Sequence, residues 1–561
     1  GVAGLLQTVL ALQNRAIPPH LHLREPNPHV EWDDIPVRIP TELTPWPARG
    51  PRLIAGVSSF GGSGTNAHVV LEEAPAAPER EVGRDRPIHL LTLSARTPEA
   101  VRALSERLEQ HLSREEASPL ADVCFTSAVG RAHHAERASV LVRSREEACS
   151  ALRDLGRGLP VPGTARGRWA GRERPKPGFL FTGGGSQYAG MGRELYETQP
   201  TFRRELERCG EVLGDRLERP LLEVLYGSGS SHLDEMRYMQ PGLFALEWSL
   251  GELWRSWGVE PTWVMGHSVG EYVAACVAGV FTLEEGLGLI AARGRLMGEL
   301  PGDGAMVSFL ASEERVREAL AGVGDEVSVA AVNGPESVVI SGRRDAVERV
   351  AEDLSALGVK TKRLQVSHAS HSTLVDPMLE AFAEEANRVE YRAPRLGLVS
   401  NLTGDLVKGG EIDAGYWVRH AREAVRFRAG METLREQGCG VFVEVGPSPV
   451  LLGMGQTCAP AGWGVWLPTL RPGRGDWEQA LESVGELWVR GVEVDWSGFD
   501  RDYPRRKVAL PTYPFQRQRF WVEGEGPGSA HRRHPSPGAH PLLGEPLETP
   551  LETIVYDAAL D

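Results

Sequence analysis

The sequence predicts an α/β protein: a larger α/β domain carrying an inserted βαββαβ unit, with a small α+β unit before it. Three observations carry this. Strand-like apolar runs alternate with helical stretches most densely over residues 177–470. Within them, residues 304–366 read as strand, helix, strand, strand, helix, strand, the ferredoxin-like order. Gly266-His267-Ser268-Val269-Gly270 stands between the apolar run WVM and a small-residue helix, EYVAACVAG. Strand, tight turn and helix are the setting that a nucleophile elbow requires.

Taken in order, residues 1–75 begin with a helix whose Val2, Leu5, Leu6, Val9 and Leu10 follow helical spacing. A Pro-rich irregular stretch, 17–51, leads to a Gly-rich turn and a short strand at 68–71. Residues 76–90 read as a charged linker. Residues 91–158 read as strand (LLTLSA), helix (98–112), helix, strand (ASVLVR) and helix, and 159–176 as a Gly/Pro/Arg-rich linker. In the insertion, AMVSFL, VSVAAV, VVIS and VKTKRL are the strands, with Asn333-Gly334 as a turn signal. Its second helix carries Val347, Val350 and Leu354 on one face. Residues 471–523 read as an extended, Trp- and Pro-punctuated tail, and 524–539 as a linker whose HRRH is solvated rather than metal-binding. Gly1 in place of Met, inside an apolar segment, and a C-terminus at VYDAALD without a stop signal predict an excerpt of something longer.

At about 150 residues per domain, the length allows three or four domains. Hydrophobic residues at 41% and charged residues at 24% fit a soluble globular chain. A net charge of −15 with no dense Lys/Arg block argues against nucleic acid or an anionic membrane as partner. The six scattered cysteines, with no CxxC, fit a reducing cytoplasm and exclude a disulfide framework or a zinc ribbon; no metal site is expected. The longest apolar stretches, such as 272–281, fall far short of the ~20 residues that span a bilayer.

A serine nucleophile needs a base. VSHASHSTLVDP supplies His368 and His371, and the sequence leaves open which one serves. Arg293 lies on a helix opened by a Thr282/Glu285 capping box. Leu283, Leu287, Ile290 and Met297 form that helix's apolar stripe, and Arg293 points along it. A guanidinium there either snorkels or waits for a carboxylate. Gly183-Gly184-Gly185-Ser186-Gln187 follows the strand GFLFT and offers backbone N–H groups for an oxyanion. It lacks the Lys-Ser/Thr of a phosphate-binding loop, which excludes nucleotide binding there.

Together these residues resemble the acyltransferase domain of a modular type I polyketide synthase. FTGGGSQYAGMG, MQPGLFALE, GHSVGEY, ARGRLM, AAVNGPESVVISG, VSHASHS, YWVRHARE and FVEVGPSPVLLG occur in that family's order and spacing. The resemblance implies an α/β-hydrolase-like core, with parallel sheet and elbow. It implies the C-terminal part of a ketosynthase at 1–75 and a ketosynthase-to-acyltransferase linker domain at 76–176. The acyltransferase follows at 177–470, with 304–366 as its ferredoxin-like subdomain, then a post-acyltransferase linker at 471–523, a flexible linker at 524–539 and the start of a dehydratase at 540–561. Ser268 matches the acyl-accepting nucleophile and His371 the general base. Arg293 matches the arginine that binds the free carboxylate of malonyl-type groups, and Gln240 and His267 match pocket residues. The N–H groups of Gly184 and Val269 match the oxyanion hole, with Gly184 standing where the family usually has Gln. His368 matches a specificity position. Ser370 stands where malonyl-selective members usually carry Phe, and leaves room for an α-methyl without demanding one.

The implied reaction is ping-pong acyl transfer from malonyl-type coenzyme A, through an acyl-serine, to the phosphopantetheine thiol of an acyl carrier protein, with no bound cofactor. Malonyl is favoured; a methylmalonyl-selective enzyme and a serine hydrolase or thioesterase are the alternatives. Arg293 discriminates against the last, since hydrolases of neutral esters need no carboxylate anchor. The implied partners are the carrier protein and the rest of the synthase chain, as a homodimer through the ketosynthase.

Overall fold

The computed structural model describes residues 1–47, 52–75, 83, 85–114, 118–227, 231–364 and 368–520, with the backbone of 545–547 and 555–557. Two compact units result, Gly1–Val82 and Gly83–Asp561. In the first, α1 (Val2–Asn14) stops at Arg15, whose φ of 49° closes the last turn in the left-handed region. Short strands β1 (Ala16–Ile17) and β2 (Thr44–Pro45) pair, and β3 (Ile54–Phe60) forms an antiparallel ladder with β4 (Asn66–Glu72). The expected strand at 68–71 is therefore one part of a longer hairpin. IAGVSSF interrupts its apolar residues with glycine and paired serines, which leaves no apolar run to read; its pairing partner makes it a strand.

The second unit opens with β5 (His89–Ala95), α2 (Pro98–Leu112), α3 (Leu120–Val129), β6 (Glu136–Val142), α4 (Arg145–Gly156) and β7 (Thr164–Arg168). Thr97 and Ser144 cap α2 and α4 by accepting from Ala100 and Glu147 N–H groups. The order of β5 to α4 matches the sequence reading. β7 does not: it lies in 159–176, read as a linker, and completes a three-stranded antiparallel sheet beside β6. TARGR has little strand propensity and becomes a strand because β6 offers an unpaired edge.

The central domain runs through β8 (Pro177–Phe181), α5 (Arg193–Thr198), α6 (Pro200–Leu213), α7 (Leu221–Tyr226), α8 (Met236–Ser256), β9 (Trp263–Gly266), α9 (Val269–Val277) and α10 (Leu283–Gly298). The insertion follows as β10 (Gly304–Phe309), α11 (Glu313–Ala319), β11 (Val327–Gly334), β12 (Ser337–Arg343), α12 (Arg344–Ala356) and β13 (Thr361–Arg363). Its strands form one antiparallel sheet, β11-β12-β10-β13, the ferredoxin-like order. The chain returns through α13 (Leu379–Ala386), β14 (Gly397–Val399), α14 (Ala414–Arg422), α15 (Phe427–Glu436), β15 (Val441–Val445), α16 (Val450–Thr457) and β16 (Val465–Pro468). The core sheet is parallel throughout, in the order β14-β9-β8-β15-β16. Phe179, Leu180 and Phe181 are all fully buried, as are Phe442 and Val443, because helices cover both sheet faces.

The tail at 471–523 corrects the sequence reading most. It holds α17 (Asp476–Val489) and α18 (Trp496–Phe499), and its described residues run without helix or strand over 504–520. Trp477, Leu481, Val484 and Trp488 lie on one buried face, with Trp477 stacked on Trp257, while Gly485 lies against Ser139 of β6 and Val489 against Gly167 of β7. Beyond α18, Val508, Leu510 and Tyr513 pack on the core of the α+β unit. A buried ion-pair cluster holds this return: Asp500 accepts from both Arg86 and Arg505, and the Arg86 guanidinium lies 4.2 Å from the Phe499 ring centroid. The linker expected at 524–539 and most of 540–561 lie outside the described residues; β17 (Glu545–Leu547) and β18 (Val555–Asp557) pair antiparallel. Among the described residues, no helix is long and apolar enough to cross a membrane.

Removing the shared acceptor leaves the buried Arg86 guanidinium without its carboxylate, while Arg505 keeps its ion pair to Asp85. Asp500→Ala is expected to lower stability by about 3–5 kcal/mol, read from chemical denaturation against the unaltered chain.

Candidate active site

Ser268 forms the turn between β9 and α9, at φ 51° and ψ −108°. That region costs a side-chain-bearing residue about 1–3 kcal/mol and persists only where its surroundings over-determine it. Asn401 does much of this. Its Oδ1 accepts the Ser268 N–H at 2.8 Å, and its Nδ2 donates to the Gly266 carbonyl at 2.7 Å. Asn401 is held in turn: its N–H donates to Glu271 Oε1 at 3.1 Å and its carbonyl accepts from Arg426 N–H at 2.7 Å. Buried Glu271 also accepts from the Tyr416 hydroxyl, and its Oε2 lies 2.8 Å from His420 Nε2.

His371 reaches Ser268, with Nε2 2.8 Å from Oγ. Its Nδ1 lies 2.8 Å from the Glu423 carbonyl, which can only accept. Nδ1 therefore carries the proton, and Nε2 presents a lone pair to the serine hydroxyl. The Glu423 carbonyl is aimed by a short parallel bridge between Val425 and β11, with N–H···O contacts of 2.9 Å on either side. His371 too has a positive φ, 57°. Burial first, then the Arg293 charge, holds its imidazole well below the usual value of 6.5. His368 is placed apart: its Nε2 donates to the Leu300 carbonyl just past α10, at 3.0 Å.

Arg293 is 1% exposed. Its Nη1 donates to Gln240 Oε1 at 2.7 Å, and its guanidinium lies 5.6 Å from the Tyr272 ring centroid. Nε and Nη2 have no partner among the described residues, and no carboxylate pairs with it there. Burial lowers its pKa from the ordinary guanidinium value. Gln240 sits on α8, and the amide end not facing Arg293 lies 3.5 Å from the Met297 sulfur and 3.6 Å from that of Met236. Gly294, beside Arg293, lets α10 press onto α8: a Cβ there would stand 2.6 Å from the Met236 carbonyl.

The remaining candidates line the same turn. His267 donates through Nε2 to Asn333 Oδ1 at 2.9 Å, which links the elbow to β11 of the insertion; burial lowers its pKa. Asn333 thus lies on a strand rather than in the turn its sequence suggests. The 183–187 loop lies against the elbow, since a Cβ at Gly183 would stand 2.7 Å from the His267 carbonyl. Gln187 pins it by accepting from Gly185 N–H and donating to Asp234, both at 2.8 Å. A Cβ at Gly184 would meet the Met239 methyl at 2.9 Å, so the thioether takes up space a larger side chain would need. Val269 is the first residue of α9, so its N–H has no intrahelical acceptor. Ser370 Oγ lies 3.3 Å from the Met297 sulfur.

The arrangement joins a hydroxyl, a neutral acceptor imidazole, donor N–H groups at a helix start and a guanidinium with two unused donors. Sequence reasoning missed Asn401, which nothing local marks. Asn333, Glu271, His420 and Glu423 lay inside quoted motifs, Asn333 only as a turn signal and the others without a role.

Because the folded imidazole resists protonation, reaction of Ser268 with an organophosphonate probe is expected to hold its rate as pH falls through 6.5 and to decline only in more acid solution. The unfolded imidazole does take up a proton near 6.5, so the stability owed to a neutral His371 is lost below that pH. Rates measured from pH 4 to 9 check the first statement, and denaturation midpoints check the second. Asn401→Ala orphans two buried backbone groups and is expected to cost about 1–3 kcal/mol for each, also read from denaturation.

Residues 178–494 match the family described as Acyl transferase domain, and residues 26–141 match the Ketoacyl-synthetase C-terminal extension. The spectinabilin polyketide synthase system protein NorB of Streptomyces orinoci is 42% identical over 98% of this chain, which covers 26% of that protein. The phenolphthiocerol synthesis polyketide synthase type I Pks15/1 of Mycobacterium marinum gives the same three figures, 42%, 98% and 26%. The chain therefore spans about a quarter of the length of these curated relatives. Among solved structures, the acyltransferase domain from the second module of the salinomycin polyketide synthase matches at 43% identity and a TM-score of 0.65, over 75% of this chain and 98% of that one. The malonyl-CoA:acyl carrier protein transacylase FabD of Xanthomonas oryzae matches at 30% identity and a TM-score of 0.51, over 55% and 98%.

Proposed function

The chain belongs to the acyl transferase domain family, in the form carried by modular type I polyketide synthases, and from that premise we propose that it loads a malonyl extender unit from coenzyme A onto an acyl carrier protein. The observation that carries the substrate class is Arg293: a buried guanidinium with two unused N–H donors beside a serine–histidine pair. A buried charge without a counterion is costly, and a bidentate carboxylate is the ligand its planar fork fits. An acyl group with a free terminal carboxylate supplies one; a neutral ester does not, which disfavours the hydrolase reading.

Ser268 Oγ attacks the thioester carbonyl while its proton passes to His371 Nε2. The Gly184 and Val269 N–H groups receive the developing oxyanion. As the carbon–sulfur bond breaks, His371 returns the proton to the coenzyme A sulfur, leaving malonyl-Ser268. The carrier's pantetheine thiol then attacks that ester, its proton passing through His371 to Ser268 Oγ. No cofactor or metal takes part. Gln240 orients Arg293, while His267 and His368 border the acyl chamber.

Around this domain, residues 1–75 are the end of a ketosynthase, 76–176 its linker domain, 471–523 the post-acyltransferase linker and 540–561 the start of a dehydratase. The whole synthase is a cytoplasmic homodimer joined through the ketosynthase; the six cysteines, all free, fit that compartment.

Incubation with a mixture of acetyl-, malonyl- and methylmalonyl-coenzyme A, followed by intact-protein mass spectrometry, tests this. A malonyl adduct that disappears in Ser268→Ala is expected; an adduct that survives in the variant would sink the mechanism. Arg293→Ala is expected to lower kcat/KM for malonyl far more than for acetyl, and equal losses would make Arg293 structural. His371→Ala is expected to slow acylation by about 10²–10⁴-fold in single-turnover measurements.

A further inference from the structure

Ser370 leaves open the space that a bulky residue fills where malonyl is selected, yet that space is not empty. Met297 lies on α10 one turn beyond Arg293, on the same helical face, with its side chain fully buried. Its sulfur stands 3.3 Å from Ser370 Oγ and 3.5 Å from Gln240 Nε2. Gln240 Oε1 in turn accepts from Arg293 at 2.7 Å. The thioether therefore occupies the angle between the carboxylate anchor and the residue beside His371. On the malonyl-transfer reading, a malonyl group spans from Ser268 to Arg293, whose partner Gln240 is itself in contact with Met297.

We infer that Met297 is a specificity-determining residue, whose thioether takes the volume of an α-substituent and so excludes branched extender units although position 370 is small. The inference rests on the malonyl-transfer reading above. The sequence cannot show it, because Met297 reads as one more member of an apolar stripe. A methionine suits the place: it is unbranched and flexible, and fills an irregular gap without strain. It also accounts for Ser370, since a phenylalanine there would need the volume that Met297 holds.

The test is competition between malonyl- and methylmalonyl-coenzyme A for Ser268, read as the ratio of the two adducts by intact-protein mass spectrometry. Met297→Ala is expected to raise the methylmalonyl share at least about 10-fold, the usual weight of one methylene in a pocket. Met297→Leu, similar in volume without the sulfur, is expected to keep the original ratio. Ser370→Phe alone is expected to lose acylation by both thioesters, and Ser370→Phe with Met297→Ala to regain it with malonyl preferred. If the alanine variant does not fold, Met297→Val is expected to shift the ratio in the same direction by less. A ratio unmoved within twofold in the folded Ala or Val variant overturns the inference. So does a Leu variant that shifts it as far as Ala does, because the sulfur contact to Gln240 would then matter rather than volume. Failure of the underlying reading looks different: the unaltered chain would take neither thioester, or would take acetyl as readily as malonyl.

Discussion

Ser268 keeps its avoided backbone conformation because the chain on either side has no room to relax. A Cβ at Gly266 would stand 2.0 Å from the Glu271 nitrogen, and one at Gly270 would stand 2.1 Å from the Phe181 carbonyl. The start of α9 is thus pressed against the ends of β8 and β9, and any larger residue would push the layers apart. That close approach sends the serine hydroxyl outward while the first amides of α9 stay behind it. Asn401 then ties both sides of the turn, so the strain is shared with a segment beyond β14 rather than held by the turn alone.

The treatment of buried charge separates scaffold from site. Arg86 and Arg505 meet Asp500, and an aromatic ring covers Arg86, so the cluster clasps the tail to the α+β unit. Glu271 is ringed by donors from Asn401 and Tyr416, with His420 alongside. Arg293 is as deeply buried but, among the described residues, has only the Gln240 oxygen as a neutral acceptor. In a well-packed interior such an exception is expected where a ligand completes the set. The same charge acts on His371, which burial already keeps neutral and able to accept a proton.

The insertion is more than a lid on the core. Its β11 supplies Asn333 to His267 and pairs with Val425, which aims the Glu423 carbonyl at His371. Ser370 and His371 follow in the chain, and His371 lies over the elbow with its Nε2 at the Ser268 hydroxyl. The Ser268–His371 pair is therefore bordered by two sheets of different construction, the parallel core behind Ser268 and the antiparallel insertion beside it. Met239 lies against Gly184 and Met297 against Ser370.

What the sequence determined by itself is what local physics determines. The GHSVG turn between strand and helix, the Thr282/Glu285 capping box, and the βαββαβ order of 304–366 all depend on residues a few positions apart, and all stand in the structure. The stripe that buries Arg293 was legible for the same reason. β7 and α17 were not, because TARGR is a strand only beside β6, and the Trp477–Trp488 face is helical in a segment whose Gly, Pro and Trp mask its periodicity. Local pattern left the two histidines equivalent; the family resemblance pointed to His371, and the tertiary structure places its Nε2 at the Ser268 hydroxyl. His368 and His371 differ by one turn of irregular chain, and the choice rests on carbonyls at Leu300 and Glu423, each over 50 residues away. Asn401 and Met297 belong to the same class. Their positions follow from how distant layers meet, and no local pattern encodes which buried partner a side chain will find.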